Sequence, residues 1–511
     1  MHHPKPPRIK TAIHRLTTTT RHFTTTNPTT KMAPPKKSFS ALIIGSGQSG
    51  TPLATALAAT GRTTALVERA HLGGSCVNVG CTPTKTMIAS GRVAHLARRA
   101  GEYGVFQRVL GEGIAPAVEM ERVRERKREV VAQWRAGSER RVSGVEGLEV
   151  LRGEARFVGE RKVRVSLEEG GGEVEVMAEE VFVDVGERPA GAEVEGLEGL
   201  GEGRALDSTS VMELGEVPGR LVVLGGGYIG MEFGQLFRRL GSEVVIVQRA
   251  QQLLPREDAE IAEAVRKICE EDGIEVVLGS TATKVSPQRD GLLLQYRTSS
   301  GALHETSGTH LLLATGRKPN TDSLDLSVAG IKTTPRGHII VSDNLETSIP
   351  NVYALGDCHG GPAFTHVSYD DFRIIRHNLI DKTSPPTSIM QRDGLVPYVV
   401  YTDPQLGHVG LHEAEARAKF PSKQIKTATM PMSAVARAVE TAETRGLMKA
   451  VVDGESGHIL GFTCLGIEGG EIMSLVQVAM IGKLPWWKLR DAVFAHPTLA
   501  ESLNNLWGNL R

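Results

Sequence analysis

Short apolar runs recur along this chain between polar segments: ALII at 41–44, ALV at 65–67, LVVL at 221–224 and LLLA at 311–314. Each is of strand length, and none approaches the ~18 uninterrupted apolar residues of a membrane span. Two of them open the same larger pattern. In SALIIGSGQSG an apolar strand runs into Gly45, Gly47 and Gly50, then a helix of small residues, then TTALVE ending at Glu68. In RLVVLGGGYIGMEFGQLFRRLGSEVVIVQRA the pattern returns with Gly225, Gly227 and Gly230. A strand, a glycine turn, a helix and a second strand in this order predict a βαβ unit whose turn lets the backbone approach a pyrophosphate, and here there are two.

The two units differ where the second strand ends. The first has Glu68, an acid about 20 residues past the turn that suits an adenosine ribose hydroxyl; the second has Gln248 followed by Arg249. A carboxylate there repels a 2′-phosphate, whereas a neutral side chain beside a guanidinium accepts one. The first site therefore reads as one for an unphosphorylated adenine cofactor and the second as one for NADP(H) in preference to NAD(H). Arg256 is a second candidate clamp.

Between the units lies GGSCVNVGCTPTK, from Gly73 to Lys85, which places Cys76 and Cys81 in a glycine-rich turn leading into a helix. In an unbroken helix residues five apart lie roughly 8 Å or more from each other at Cα, too far for a disulfide, so the segment has to distort for this pair to close. With Thr82 read as the cap and Pro83 as the first helical residue, the Cys81 sulfur sits near the positive helix end, which favours a thiolate. Two buried structural thiols or a metal site would produce the same spacing on its own.

Composition narrows the picture. Lys plus Arg and Asp plus Glu both number 59, so no large basic face argues for nucleic acid. A length of 511 residues allows about three domains. Five cysteines are too few for an extracellular disulfide framework, and Cys269, Cys358 and Cys464 read as structural thiols. The stretch VEMERVRERKREVVAQWR at 118–135 reads as a mostly solvated helix. Residues 1–37 are rich in Thr, Pro and basic residues without an acid, which suits either a mitochondrial presequence or the disordered tail of a cytoplasmic chain.

From about Ser38 to its end the chain resembles the flavoprotein disulfide reductases, the class I pyridine nucleotide-disulfide oxidoreductases that include glutathione reductase, dihydrolipoamide dehydrogenase and mercuric reductase. The motifs fall in that family's order: first glycine fingerprint, CVNVGC, second fingerprint, LLLATGRKPN, VYALGDC and a terminal HPTLAE. The resemblance implies an α/β fold with two Rossmann-like nucleotide-binding domains, for FAD and NAD(P), and a C-terminal α+β dimerisation domain. It divides the chain into an FAD domain at 38–190 and 319–392, an NAD(P) domain at 191–318 and an interface domain at 393–511. FVDVGERP would be the crossover out of the FAD domain, and LLLATGRKPN, with Gly316, the return.

The same resemblance implies roles. Cys81 matches the thiol beside the flavin and Cys76 the one that exchanges with substrate; Lys85 matches the lysine near flavin N5, and Glu232 its carboxylate partner. Gly74 and Asp357 match FAD-binding positions, and Tyr228 a residue covering the nicotinamide pocket. His496 and Glu501 match an acid/base pair that serves the other subunit, so a homodimer is implied. The implied reaction carries electrons from NADPH through FAD and the dithiol to a small-molecule or protein disulfide, in keeping with cell redox homeostasis. Dihydrolipoamide dehydrogenase, mercuric reductase and quinone reductase remain alternatives, although the NNLWGNLR tail lacks the terminal cysteine pair of Hg(II) enzymes. A redox-responsive flavoprotein acting through partner binding is a further one.

Overall fold

The computed structural model describes residues 34–105, 108–109, 112–113 and 117–511, apart from 169, 202, 383 and 393. The stretch read as a tail or presequence lies outside the described residues as far as 33. The first strand, Lys36–Ile44, starts two residues before Ser38, because Lys36 and Lys37 already pair with Glu175 and Val176.

Three sheets organise the chain. In the first, Lys36–Ile44 lies between Thr64–Glu68 and Glu173–Val183, all parallel, with Val352–Ala354 joining from far along the chain. Leu42, Ile43, Val181 and Phe182 are fully buried, as expected of parallel strands covered on both faces, and this explains why the runs are continuous rather than alternating. The second sheet is also parallel, in the order Ile274–Val277, Glu243–Val247, Arg220–Leu224, His310–Leu313, Ala205–Leu206. A three-stranded antiparallel sheet, Ser280–Gln288, Gly291–Thr298 and Leu303–Gly308, flanks it.

FVDVGERP and LLLATGRKPN meet as a two-stranded ribbon in which Glu187–Pro189 pairs antiparallel with Arg317–Pro319. The chain thus enters and leaves the second sheet through adjacent strands. The third sheet is antiparallel, with five strands between Tyr398 and Gly466 and the helix Gly469–Ile481 packed against it. The charged segment forms a helix over Met120–Val142, longer than its charge pattern outlines and exposed along most of its length. Among the described residues no helix is long and apolar enough to cross a membrane.

Buried ions tie the second and third sheets together. Arg239, on the helix after the second glycine turn, pairs with Asp403, which also takes Arg92 at 2.8 Å; Arg445 reaches across to Asp272 at 2.6 Å. Burial alone would raise the Asp403 carboxyl, but Arg239 and Arg92 hold it below its ordinary value. At a second point Lys449 sits among Asp258, Glu260 and Glu413. Removing one partner of a buried pair strands the other charge, so Asp403→Ala should cost about 3 kcal/mol. The midpoint of thermal unfolding would fall by several degrees, and an unchanged midpoint would show that this seam adds no stability.

Candidate active site

The helical run carrying the two thiols is broken. Cys76 lies on a short helix, Gly74–Asn78, and Cys81 is the first residue of the next one, Cys81–Arg99, with Gly80 rather than Thr82 at the cap position. A Cβ at Gly80 would fall 2.8 Å from the Ser75 carbonyl oxygen and 3.2 Å from Cys76 Cα. Only a bare backbone folds back so tightly, and this fold-back brings together two sulfurs that a continuous helix would separate.

Both cysteines are free thiols, Cys81 exposed and Cys76 half-buried. They hydrogen-bond each other, and Thr365, the first residue of the helix Thr365–Ile375, donates its hydroxyl to Cys76 Sγ at 3.1 Å with Cys81 Sγ 3.5 Å away. The Cys76 thiol, as donor, draws Cys81 down to about 5 against the effect of burial, with Thr365 and the Lys85 ammonium adding to the pull. Cys76, which gives up its proton only at the cost of that bond, is pushed far above the ordinary thiol range, with burial adding to the rise.

One turn below Cys81, Lys85 Nζ donates to Glu232 Oε2 at 2.7 Å. Glu232 is buried, and its other oxygen accepts from the Tyr401 backbone N–H at 2.9 Å. The ammonium also lies 5.0 Å from the centre of the Tyr401 ring. Burial works against the ammonium, but Glu232 more than offsets it and the Cys81 sulfur assists, so Lys85 holds its proton above the ordinary lysine range. Cys76, Cys81, Lys85 and Glu232, drawn from helices of the two nucleotide units, are therefore one cluster.

The first glycine turn forms a bare cradle. A Cβ at Gly47 would lie 2.6 Å from the Asp184 carboxylate, and one at Gly74 2.7 Å from Gly47 Cα, so the two glycine backbones are in direct contact. Asp184 accepts the Gly50 N–H at 2.7 Å, and burial pushes its carboxyl well up. Glu68 accepts from the Ser46 N–H at 3.1 Å and from the Ser46 hydroxyl at 2.5 Å. A buried carboxylate beside a side-chain-free turn fits the ribose and pyrophosphate of FAD. Asp357 belongs to a turn held by Asp371, which accepts from the Gly356 N–H at 2.7 Å, from His359 at 3.0 Å and from Arg392 at 2.6 Å. Burial and Glu187 push Asp357 up to about 6. Cys358 is buried behind this turn, its Sγ against the Val183 and Leu355 carbonyls, and burial keeps it a thiol.

The second turn repeats the first. Gln248 stands where Glu68 does, its Oε1 accepting from the Gly226 N–H at 3.2 Å as Glu68 accepts from Ser46, and also from the Arg249 N–H at 3.1 Å. Gly225 has φ +107° against +102° for Gly45, and Gly227 caps the helix that carries Tyr228, Gly230 and Glu232. Tyr228 is exposed at the start of that helix, Arg249 is exposed beyond Gln248, and Gly316 stands beside the return ribbon, its carbonyl accepting from the Ala190 N–H at 3.0 Å.

His496 stands apart. Its Nδ1 is 2.9 Å from Glu501, the ring is 71% exposed, and among the described residues the pair makes no hydrogen bond to the dithiol. In the same C-terminal part of the chain Val478, Ile481 and Val493 are apolar side chains left in solvent. A separate buried group, Glu257, His408 and His412, joins the second and third sheets. Its two imidazoles stack face to face at 3.9 Å, and both His408 nitrogens are engaged by Thr463 and the Gly410 carbonyl, so the lone pairs run side by side instead of converging.

The sequence reading passed over Thr365, Asp184, Asp371 and Tyr401. Asp184 carried a local signal, an acid closing an apolar strand, while Thr365 lies 289 residues from the thiol it touches.

Fold and site together define a protein with two dinucleotide-binding units and a dithiol between them. The pyridine nucleotide-disulphide oxidoreductase model matches residues 39–371, and the dimerisation domain of the same group matches 396–506. The chain belongs to the pyridine nucleotide-disulphide oxidoreductase family, whose members are FAD-dependent oxidoreductases using a pyridine nucleotide and a redox disulfide. It is 34% identical over 471 residues to the probable pyridine nucleotide-disulfide oxidoreductase RclA of Escherichia coli, covering 92% of this chain and 98% of that protein. A mercuric reductase of Bacillus cereus is 34% identical over 465 residues, 90% of this chain and 70% of the relative. A solved structure of the HOCl-induced flavoprotein disulfide reductase RclA from Escherichia coli superposes with a TM-score of 0.81 at 33% identity, covering 92% of this chain and 99% of that one.

The hydrogen bond from Cys76 is the largest influence lowering Cys81, so Cys76→Ala should move the Cys81 titration upward from about 5. A thiolate is the reactive form above its pKa, so site-resolved alkylation of reduced wild type should persist through neutral pH and fade below about pH 5. In the variant the fade should begin at higher pH, and overlapping profiles would refute the thiol-to-thiolate bond.

Proposed function

We propose that this chain is an NADPH-dependent disulfide reductase working as a homodimer. The observation that supports it most directly is the meeting of Cys76, Cys81 and Thr365 above the Lys85–Glu232 ion pair. FAD, when bound, supplies the two-electron link between reduced nicotinamide and the Cys76–Cys81 disulfide. Glycines 45, 47, 50 and 74, with Glu68 and Asp357, hold it. Gly225, Gly227, Gly230, Arg249 and Gly316 hold the nicotinamide dinucleotide, and Tyr228 covers its pocket.

With the pair reduced, Cys76 attacks one sulfur of the substrate disulfide; the first substrate thiol leaves and a mixed disulfide forms. The Cys81 thiolate then attacks Cys76, the Cys76–Cys81 bond closes, and the second substrate thiol leaves. Two electrons and two protons pass to the substrate in all. The partner subunit's His496 moves the proton, held in place by a carboxylate, which accords with the exposed His496–Glu501 pair and the exposed apolar side chains of the C-terminal domain. Lys85 keeps a positive charge beside the thiolate throughout. Gln248 and Arg249 favour NADPH. Domain limits at 38–190, 191–318, 319–392 and 393–511 accord with the separate sheets and their crossover ribbon.

A metal ion is the second reading for the acceptor. The paired sulfurs are an accessible soft donor set, one solved RclA structure is a Cu(II) complex, and mercuric reductases are among the relatives.

Anaerobic titration of the flavoprotein with NADPH should give a long-wavelength thiolate-to-flavin absorbance after two electrons, and Cys81→Ser should lose it. Bleaching of the flavin without that band in wild type would remove the dithiol from the mechanism. In a second experiment, Cys81→Ser and His496→Gln subunits, each inactive alone, should recover turnover when mixed, because one site of the heterodimer holds both intact groups. Verified heterodimers without recovery would exclude a shared site.

A further inference from the structure

A cavity of about 290 Å³ opens where the loop after the strand Glu243–Val247 meets the three-stranded antiparallel sheet. Arg249 lines one side; Thr281, Thr283, Arg297, Thr298 and Ser299 line the other. The wall thus carries two guanidiniums and four hydroxyls and no carboxylate. Among the described residues neither Arg249 nor Arg297 pairs with an acid, although most arginines of this chain do. Two uncompensated guanidiniums facing one small cavity repel each other until a dianion sits between them, and a phosphate monoester is the dianion their planar forks suit.

The cavity borders the loop that follows the second βαβ unit. Gln248 abuts the second glycine turn through the Gly226 N–H, and the loop beyond it is stitched to the antiparallel sheet by Ser280 N–H to the Gln248 carbonyl at 2.9 Å and Gly279 N–H to the Ala250 carbonyl at 2.9 Å. Arg249 sits at that seam. Arg297 comes from the strand Gly291–Thr298 and is braced by a 2.8 Å hydrogen bond from Nη1 to the Gly301 carbonyl, which fixes its stem and leaves further donors on the fork. Arg256, the other cation of the loop, acts on the Tyr398 hydroxyl at the seam with the third sheet.

We propose that this cavity is a phosphate-monoester pocket for the 2′-phosphate of NADPH, and that Arg297, from outside the βαβ unit, closes it opposite Arg249. The inference rests on the NADPH reading and adds a specificity residue to it.

Calorimetric titration of the purified flavoprotein with 2′,5′-ADP, 5′-ADP and inorganic phosphate tests both, with Arg297→Gln and Arg249→Gln as variants of exposed side chains. Wild type should bind 2′,5′-ADP at least tenfold more tightly than 5′-ADP. Arg297→Gln should lose about tenfold for 2′,5′-ADP, the worth of one charge-assisted hydrogen bond, while binding 5′-ADP as before. Equal wild-type affinity for the two nucleotides would sink the NADPH reading itself. A wild-type preference that survives Arg297→Gln and disappears in Arg249→Gln would leave that reading standing and overturn the role of Arg297. Inorganic phosphate binding as tightly as 2′,5′-ADP would mark a free-phosphate site and overturn the assignment to the nucleotide.

Discussion

The contact on which the site depends is the ion pair between Lys85 and Glu232. The Glu232 carboxylate is buried and the Lys85 ammonium half-buried, and a carboxylate so placed needs a cation beside it. Because the two belong to different nucleotide units, the dithiol helix and the second glycine-turn helix have to dock to pair that charge. Tyr401, from the edge of the third sheet, joins through its backbone N–H and ring. Two helices and the segment just after the strand Tyr398–Val400 therefore converge on one positive charge, and that charge lies under the sulfur that has to be ionised. The same arrangement that assembles the chain also sets the chemistry at Cys81.

Around this point the chain divides its work by kind of interaction. The nucleotide turns are made of backbone and defined by what they lack, since a side chain at Gly47 would strike the Asp184 carboxylate and one at Gly74 would strike the Gly47 backbone. The dithiol is shaped by a break in a helix and by a hydroxyl delivered from a distant segment. The seams between sheets are ionic, which gives them registry: the Asp403 carboxylate serves two arginines, and Lys449 answers three acids.

Much of this could be read from the sequence, for physical reasons. Parallel strands buried on both faces leave continuous apolar runs, and glycine turns that bind phosphate tolerate no other residue, so both βαβ units and the α/β class were visible. The equivalence of Gln248 with Glu68 was visible too, because both follow a strand of fixed length after a turn of fixed length. The helix start was misread: Thr82 and Pro83 are good capping residues, but the tight approach of Gly80 to Ser75 and Cys76 starts the helix at Cys81. Thr365 and Tyr401 act on side chains 289 and 169 residues away, and neither periodicity nor local spacing records such contacts. Asp371 reaches its chain neighbours Gly356, His359 and Arg392, holding a turn with no regular period to reveal it.

The paired ribbon of Glu187–Pro189 and Arg317–Pro319 has an evolutionary consequence. Because the second sheet begins and ends side by side, recombination could exchange it as a cassette between chains, carrying nucleotide preference with it and leaving the first sheet's connectivity intact. Glu232 restricts that exchange. Any incoming cassette has to bring a carboxylate to meet Lys85, so this family could diversify its electron donors freely only among cassettes that keep one acid on one helix.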